Sequence, residues 1–250
     1  MTTYEPACGA GSFLANPPFQ QMTEPEIPNV QPRLSSFPGR LLVLEGIDGC
    51  GKSTQIEALQ RWLPGSGLLP AGARLLISRE PGGTPFGQAV RQLLLHPAEA
   101  AAPCSTSELL LYAADRAQHV QTLIRPALAA GHWVLCDRFS GSTAAYQGYG
   151  RGLSLELIDE LERIATAGLR PDLTLWLDLP LALARCRRRD RPADRIEAAG
   201  EAFLARVRAG FARLAGAPGW ARVDAASVPE VVTRECQVVL HLFSRQWEGA

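Results

Sequence analysis

The sequence predicts an α/β domain, with five parallel strands in one sheet and helices packed on both faces. Three observations lead there. Five short, largely apolar runs are spaced along residues 40–224, helical patterns separate them, and a glycine-rich turn joins the first run to the first helical pattern. Strands covered on both faces read as continuous apolar runs, and strand–helix alternation implies parallel pairing through right-handed crossovers.

The runs are 40–45 (RLLVLE), 74–78 (RLLIS), 132–137 (HWVLCD), 172–179 (DLTLWLDL) and 220–224 (WARVD). Helical patterns fall at about 52–63, 85–95, 105–130, 154–168, 180–190, 197–215 and 229–247. A chain of 250 residues holds one large domain or two small ones, and 46% apolar content is enough for a core. Residues 1–38 differ: they carry seven of the 19 prolines and no long periodic apolar stretch. They read as a disordered extension before a domain at 39–250. They lack the uninterrupted apolar core of a signal peptide, and Arg33 stands against Glu5, Glu24 and Glu26, unlike a basic transit sequence. Within them, Glu5-Pro-Ala-Cys-Gly-Ala-Gly-Ser-Phe-Leu and Asn16-Pro-Pro-Phe19 resemble the cofactor-binding and catalytic motifs of adenine-specific DNA methyltransferases. Only about ten residues separate the two. That leaves no room for a cofactor-holding sheet, so the pair reads as a coincidence or a relic.

Net charge is zero, which gives no global field toward nucleic acid or a membrane, and no apolar run is long enough to cross a bilayer. Six scattered cysteines form no C-x-x-C pair and read as reduced thiols of a cytosolic protein. Of 25 basic residues, Lys52 is the one lysine. An arginine-rich base composition explains the bias, but this lysine stands where phosphate chemistry needs it.

Gly46-Ile47-Asp48-Gly49-Cys50-Gly51-Lys52-Ser53 matches G-x-x-x-x-G-K-[ST] between a predicted strand and a predicted helix. The glycines permit backbone angles and approaches that a Cβ would block. Successive N–H groups and the helix N-terminus then form an anion nest that extends to Thr54. This predicts ATP binding, with Lys52 on the β- and γ-phosphates and the Ser53 hydroxyl on Mg2+. Cys50 in this loop reads as a small residue in a tight turn or as a reactive thiol. Asp137 closes an apolar strand and is the candidate for holding Mg2+ through water.

A P-loop does not name a reaction. Arg79-Glu-Pro-Gly-Gly-Thr84, Leu111-Tyr-Ala-Ala-Asp-Arg116, Asp137-Arg138-Phe139, Ser142-Thr-Ala-Ala-Tyr-Gln147 and Asp194-Arg-Ile-Glu197 follow it in order. Together these resemble the bacterial thymidylate kinases over about 40–245. The resemblance implies the P-loop nucleoside-monophosphate-kinase fold, strand order 2-3-1-4-5, a small lid at about 186–195, a homodimer, and transfer of the ATP γ-phosphate to dTMP. It implies that Arg138 and Arg79 hold the acceptor phosphate. Tyr112 would stack on thymine and Arg116 would donate to its O4. Ser142, Thr143 and Gln147 would lie near the base, although a polar helix face reads the same way. Tyr146 would sit under the sugar and disfavour a 2′-hydroxyl, and Asp48 would lie near the 3′-hydroxyl or its water. Asp194 and Glu197 would be lid residues near acceptor and metal. Gly49 stands where some relatives carry an arginine, so the lid would supply that charge from Arg187, Arg188 or Arg189; which of them remains open. The chemistry agrees: the acceptor is already ionised, no general base is needed, and repulsion between polyanions must be overcome by cations and positioning. The alternatives are a kinase for UMP, CMP or a modified deoxynucleotide, and a non-catalytic P-loop protein binding RNA through its arginines.

Overall fold

The computed structural model describes residues 38–97, 102–188 and 195–247. The expected extension at 1–38 lies outside the described residues except for Pro38, and so do positions 189–194 of the expected lid.

One sheet of five parallel strands organises the chain, in the order β2-β3-β1-β4-β5. The strands are β1 (Leu41–Glu45), β2 (Leu75–Arg79), β3 (Trp133–Asp137), β4 (Leu173–Asp178) and β5 (Trp220–Asp224). Each matches a predicted run to within a residue at either end. The central strand β1 is buried along its whole length, as its apolar run requires. Its side chains alternate between two cores. Leu42 and Leu44 join Leu135, Leu175 and Leu177 on one face, while Leu41 and Val43 join Val134, Cys136, Val120 and Leu128 on the other.

Nine α-helices are present among the described residues. They are α1 (Lys52–Trp62), α2 (Pro85–Leu95), α3 (Ser105–His119), α4 (Arg125–Ala129), α5 (Ser140–Thr143), α6 (Leu155–Thr166), α7 (Leu181–Arg187), α8 (Glu201–Leu214) and α9 (Pro229–Trp247). Local signals set several ends. Thr84 caps α2 by accepting from Gly87 N at 3.0 Å, with Pro85 at the first helical position. Ser154 caps α6 through Leu157 N.

The structure departs from the predicted helices in three places. The stretch predicted as one helix over 105–130 is interrupted by a π-helical turn at Val120–Ile124, where Arg125 N–H donates to Val120 O. Pro126 has no N–H and its ring crowds the carbonyl four residues back, so the wider turn just before it relieves the clash. At 197–215, Gly200 at φ 95 separates a short 3₁₀ turn (Glu197–Ala199) from α8. Residues 140–150, which carry no predicted helix, form α5 followed by a π-helical run, Ala144–Gly150. Gly148 and Gly150 hide its periodicity. A Cβ at Gly148 would lie 2.5 Å from Leu155, and one at Gly150 would lie 2.6 Å from Phe203, so close packing demands both glycines.

Candidate active site

β1 runs directly into the glycine loop, where Gly46, Gly49 and Gly51 all have positive φ. A Cβ on Gly46 would meet Leu177 O at 2.7 Å, and one on Gly49 would meet Ala184 O at 2.8 Å and Arg188 Cγ at 3.0 Å. The loop is therefore wedged between β4 and α7, with Arg188 lying over Gly49. Lys52, the first residue of α1, is buried. Its Nζ donates to Gly46 O at 3.1 Å and Ile47 O at 3.2 Å, and it lies 3.9 Å from Asp48 Oδ1. Ser53 and Thr54 are exposed on the first turn. Cys50 is 1% exposed and burial raises its thiol pKa, so it serves as a packing group in the turn rather than a reactive thiol.

β3 delivers Asp137 and Arg138 beside this loop. Arg138 has a φ of 70° and its N–H donates to Leu44 O, which ties the turn to β1. Its guanidinium spans the P-loop: Nη1 donates to Gly46 O at 2.9 Å and Ser142 Oγ at 3.0 Å, and Nη2 donates to Asp48 Oδ1 at 2.6 Å. Tyr146 lies 5.2 Å from that guanidinium, measured to the ring centroid, and its hydroxyl donates to Asp48 Oδ2 at 3.2 Å. Burial pushes the Asp48 carboxyl up, but the Arg138 and Lys52 charges outweigh it and hold Asp48 well below the usual carboxylate range. Arg138, Tyr146 and Asp48 thus form one interlocked unit with the phosphate loop.

A residue that sequence reasoning did not single out supports this unit. Glu45, the last residue of β1, is fully buried. Its Oε1 accepts from Phe139 N and Ser142 N, both at 2.9 Å, and its Oε2 accepts from Ser142 Oγ at 2.6 Å. This carboxylate satisfies the open N–H groups at the start of α5. It also receives the hydroxyl that in turn receives Arg138. Burial raises the Glu45 pKa against the opposing charge of Arg138. Asp137 Oδ1 is buried and has no hydrogen-bond partner among the described residues. An oxygen left in that state, with an exposed serine hydroxyl at the head of α1, suits a hard divalent cation and its waters.

The acceptor-side residues come from β2, α3 and the α5 region. Arg79 ends β2 and is exposed. Half-buried Arg91 on α2 is a second cation there that sequence reading missed: Nη1 donates to Pro81 O at 3.0 Å, and burial and the neighbouring Arg79 charge lower its pKa. Tyr112 is half-buried against the main core. Arg116, one turn further on, is 1% exposed. Nε donates to Glu80 Oε2 at 2.7 Å, and Nη1 donates to Thr143 Oγ1 at 2.9 Å and pairs with Glu162. Phe139 lies 5.2 Å beneath the guanidinium. No described hydrogen bond uses Nη2.

Gln147 is placed differently from its neighbours. It is buried, and its Nε2 donates to Glu108 Oε1 at 2.8 Å. Glu108 also takes Arg151 and Arg195, so this amide is engaged in bracing α3 against the following segments. Arg187 is exposed, with a 3.5 Å contact from Nη2 to Ser227 O. Arg189 and Asp194 lie outside the described residues, as does the side chain of Glu197.

The site therefore offers the glycine loop, Lys52 and several arginines carried on separate elements, with Tyr146 against the Arg138 guanidinium. That constellation suits two phosphate groups facing each other. The family model described as thymidylate kinase matches residues 44–236. The chain is 66% identical over 199 residues to the thymidylate kinase of Synechococcus sp. (strain RCC307), covering 80% of this chain and 94% of that one. It is 63% identical over 195 residues to the thymidylate kinase of Prochlorococcus marinus (strain MIT 9313), covering 78% and 90%. Among solved structures, thymidylate kinase from Ehrlichia chaffeensis aligns with a TM-score of 0.66 at 33% identity, covering 81% of this chain and 98% of that one.

Proposed function

The chain belongs to the thymidylate kinase family, and from that premise we propose how its residues carry out the ATP-dependent phosphorylation of dTMP to dTDP. The observation that carries the scheme is the Arg138 unit, in which one guanidinium bonds both the P-loop backbone and Asp48 while lying against Tyr146.

The nest of 46–54 holds the ATP phosphates, and Lys52 turns from the carbonyls of Gly46 and Ile47 toward the β- and γ-phosphates. The acceptor phosphate enters between Arg138 and Arg79, with Arg91 adding to the field. Two planar forks suit a dianion, and their charge offsets its repulsion from the γ-phosphate. Because the dTMP phosphate attacks in its ionised form, no side chain need remove a proton. Asp48, kept ionised, orients Arg138 and accepts from the 3′-hydroxyl of the sugar. Tyr146 sits under the deoxyribose and disfavours a 2′-hydroxyl. Tyr112 stacks on the base, Arg116 donates to its O4, and Ser142, Thr143 and Gln147 complete the wall, Gln147 by bracing α3. Arginines of 186–195, Arg187, Arg188 and Arg189 among them, add charge around the donor, and Asp194 and Glu197 serve the same segment. Ser53 and Asp137 would hold Mg2+, which neutralises phosphate oxygens when bound.

The protein acts as a cytoplasmic homodimer in this reading. Phe86 and Leu93 on α2, Leu110 on α3, and Leu157 and Ile164 on α6 are all exposed apolar side chains, with Ile164 74% exposed. A self-complementary partner surface would cover them. No helix among the described residues is long and apolar enough to cross a membrane.

Steady-state ADP release with dTMP, dUMP, UMP and CMP, each under Mg2+ titration, tests the scheme. Saturable turnover that prefers dTMP and requires Mg2+ is expected, with Asp137→Asn raising the Mg2+ requirement by about tenfold. Turnover of UMP or CMP above that of dTMP, or undiminished turnover in excess EDTA, would overturn it.

A further inference from the structure

Three side chains that the scheme above does not use form a continuous chain behind Arg116. Ser78 Oγ, near the end of β2, lies 2.6 Å from His119 Nε2. His119 Nδ1 lies 2.8 Å from Glu80 Oε1, and the other oxygen of Glu80 accepts from Arg116 Nε at 2.7 Å. His119 is fully buried, and Ser78, Glu80 and Arg116 are each at most 9% exposed. Paired with Arg116, Glu80 is an acceptor only, so Nδ1 of His119 carries the hydrogen. In the neutral ring Nε2 then accepts from the Ser78 hydroxyl.

The loop after β2 closes over this chain. A Cβ on Gly83 would lie 2.6 Å from His119 Nε2 and 2.7 Å from Ser78 Oγ. Serine, imidazole and carboxylate in this order have the connectivity of a nucleophilic triad. Here the serine is covered by Gly83 and the carboxylate is committed to an arginine, so there is no path for an electrophile. The alternative use is orientation. Arg116 is gripped by Glu80 on one edge and by Glu162 and Thr143 on another, and the donor those grips leave over is Nη2. Where Nη2 lies depends on where Glu80 is held, and His119 holds Glu80.

We propose that Ser78, His119 and Glu80 form a positioning relay for Arg116, so that His119 sets the enzyme's discrimination of the acceptor base without touching it. The inference rests on the reading that Arg116 addresses O4 of thymine. Second-layer hydrogen bonds that aim a buried donor act on specificity, because a misaimed donor and an unpaired acceptor are both penalised in a desolvated site.

The test compares dTMP with 5-methyl-dCMP, which has an amino donor in place of O4. His119→Leu should raise the dTMP KM by about tenfold and lower the preference for dTMP over 5-methyl-dCMP by a similar factor, on the scale of one lost charge-assisted hydrogen bond. kcat and the ATP KM should stay within about threefold of wild type, as expected when uniform acceptor binding is what weakens. His119→Asn, which keeps a donor near the Nδ1 position, should restore both readouts to within about threefold. Ser78→Ala should move both in the same direction by about threefold, and it decides the matter if His119→Leu does not fold. Arg116→Lys separates the two levels. If it collapses the preference while the His119 and Ser78 variants leave it intact, the relay is overturned and the base reading stands. If Arg116→Lys itself leaves the preference unchanged, the base reading fails and the relay fails with it.

Discussion

Asp115, next to Arg116 on α3, gives the sharpest test of the buried polar cluster. Its side chain is 1% exposed, Oδ1 accepts from Gly82 N at 3.1 Å, and Oδ2 has no partner among the described residues. Burial first, and then the charge of Glu80, push its pKa from an ordinary 3.8 up to about 6. The folded state therefore holds a proton that the unfolded chain releases between these two values. As pH rises through that window the native state is progressively penalised, and the full penalty is present above pH 6. At 1.36 kcal/mol per unit the lift amounts to about 3 kcal/mol. Asp115→Asn keeps the acceptor for Gly82 and removes the charge, at the expense of a buried amide donor worth about 1 kcal/mol. The variant should thus be more stable than the parent at pH 8 by about 2 kcal/mol, which is about 4–8 °C in Tm for a domain of this size. At pH 5 the gain should be at most half of that, and it should vanish below the unfolded pKa. Thermal unfolding followed by circular dichroism at pH 5 and 8 measures both. A Tm at pH 8 equal to or below the parent's, or a gain that does not change with pH, would refute the reasoning.

Other outcomes concern the chemistry and assembly. Lys52→Ala removes contacts to two backbone carbonyls and leaves Asp48 paired with Arg138, so the fold should stay intact with a Tm loss of no more than about 8 °C. ADP release should fall by at least about a thousandfold, and retention of a tenth of parental turnover would contradict the role given to its ammonium group. Arg138→Ala should lower kcat/KM for dTMP by about a thousandfold while the ATP KM moves less than about tenfold; equal losses for both substrates would count against an acceptor-side role. Leu110→Asp combined with Ile164→Asp should convert a species of twice the 27.0 kDa chain mass into a single chain by light scattering. A parent that already runs at one chain mass would remove the dimer from the scheme.

Much of the framework was legible along the chain because its signals are local. Buried parallel strands must be short apolar runs, and Leu41–Glu45 before a glycine-rich loop cannot be read as much else. The P-loop declares itself for the same reason, since residue type, spacing and flanking elements all fall within about twenty residues. The strand order came from family likeness, as periodicity does not say which strands are neighbours. What stayed hidden depends on contacts between distant residues. Nothing near Arg116 indicates that Glu80 and Glu162, 36 and 46 residues away, close around it. Glu45 resembles any carboxylate ending a strand until α5 folds back onto it. Gln147 reads as a polar residue on a site-facing turn, yet its partner is Glu108, 39 residues earlier. The Ala144–Gly150 run was missed because two glycines, demanded by neighbouring Leu155 and Phe203, erase the period by which helices are recognised.

The φ of 70° at Arg138 has a consequence for how this protein tolerates change. A side chain with a Cβ in that region carries about 1 kcal/mol of backbone strain, from which glycine is free. Glycine at position 138 would shed that strain, but it would also withdraw the guanidinium from Gly46 O, Ser142 Oγ and Asp48, a loss larger than the strain relieved. Durability and turnover therefore pull in the same direction at this one peptide. A search for hardier variants, even one that scores only melting, would keep the arginine and tolerate its backbone strain.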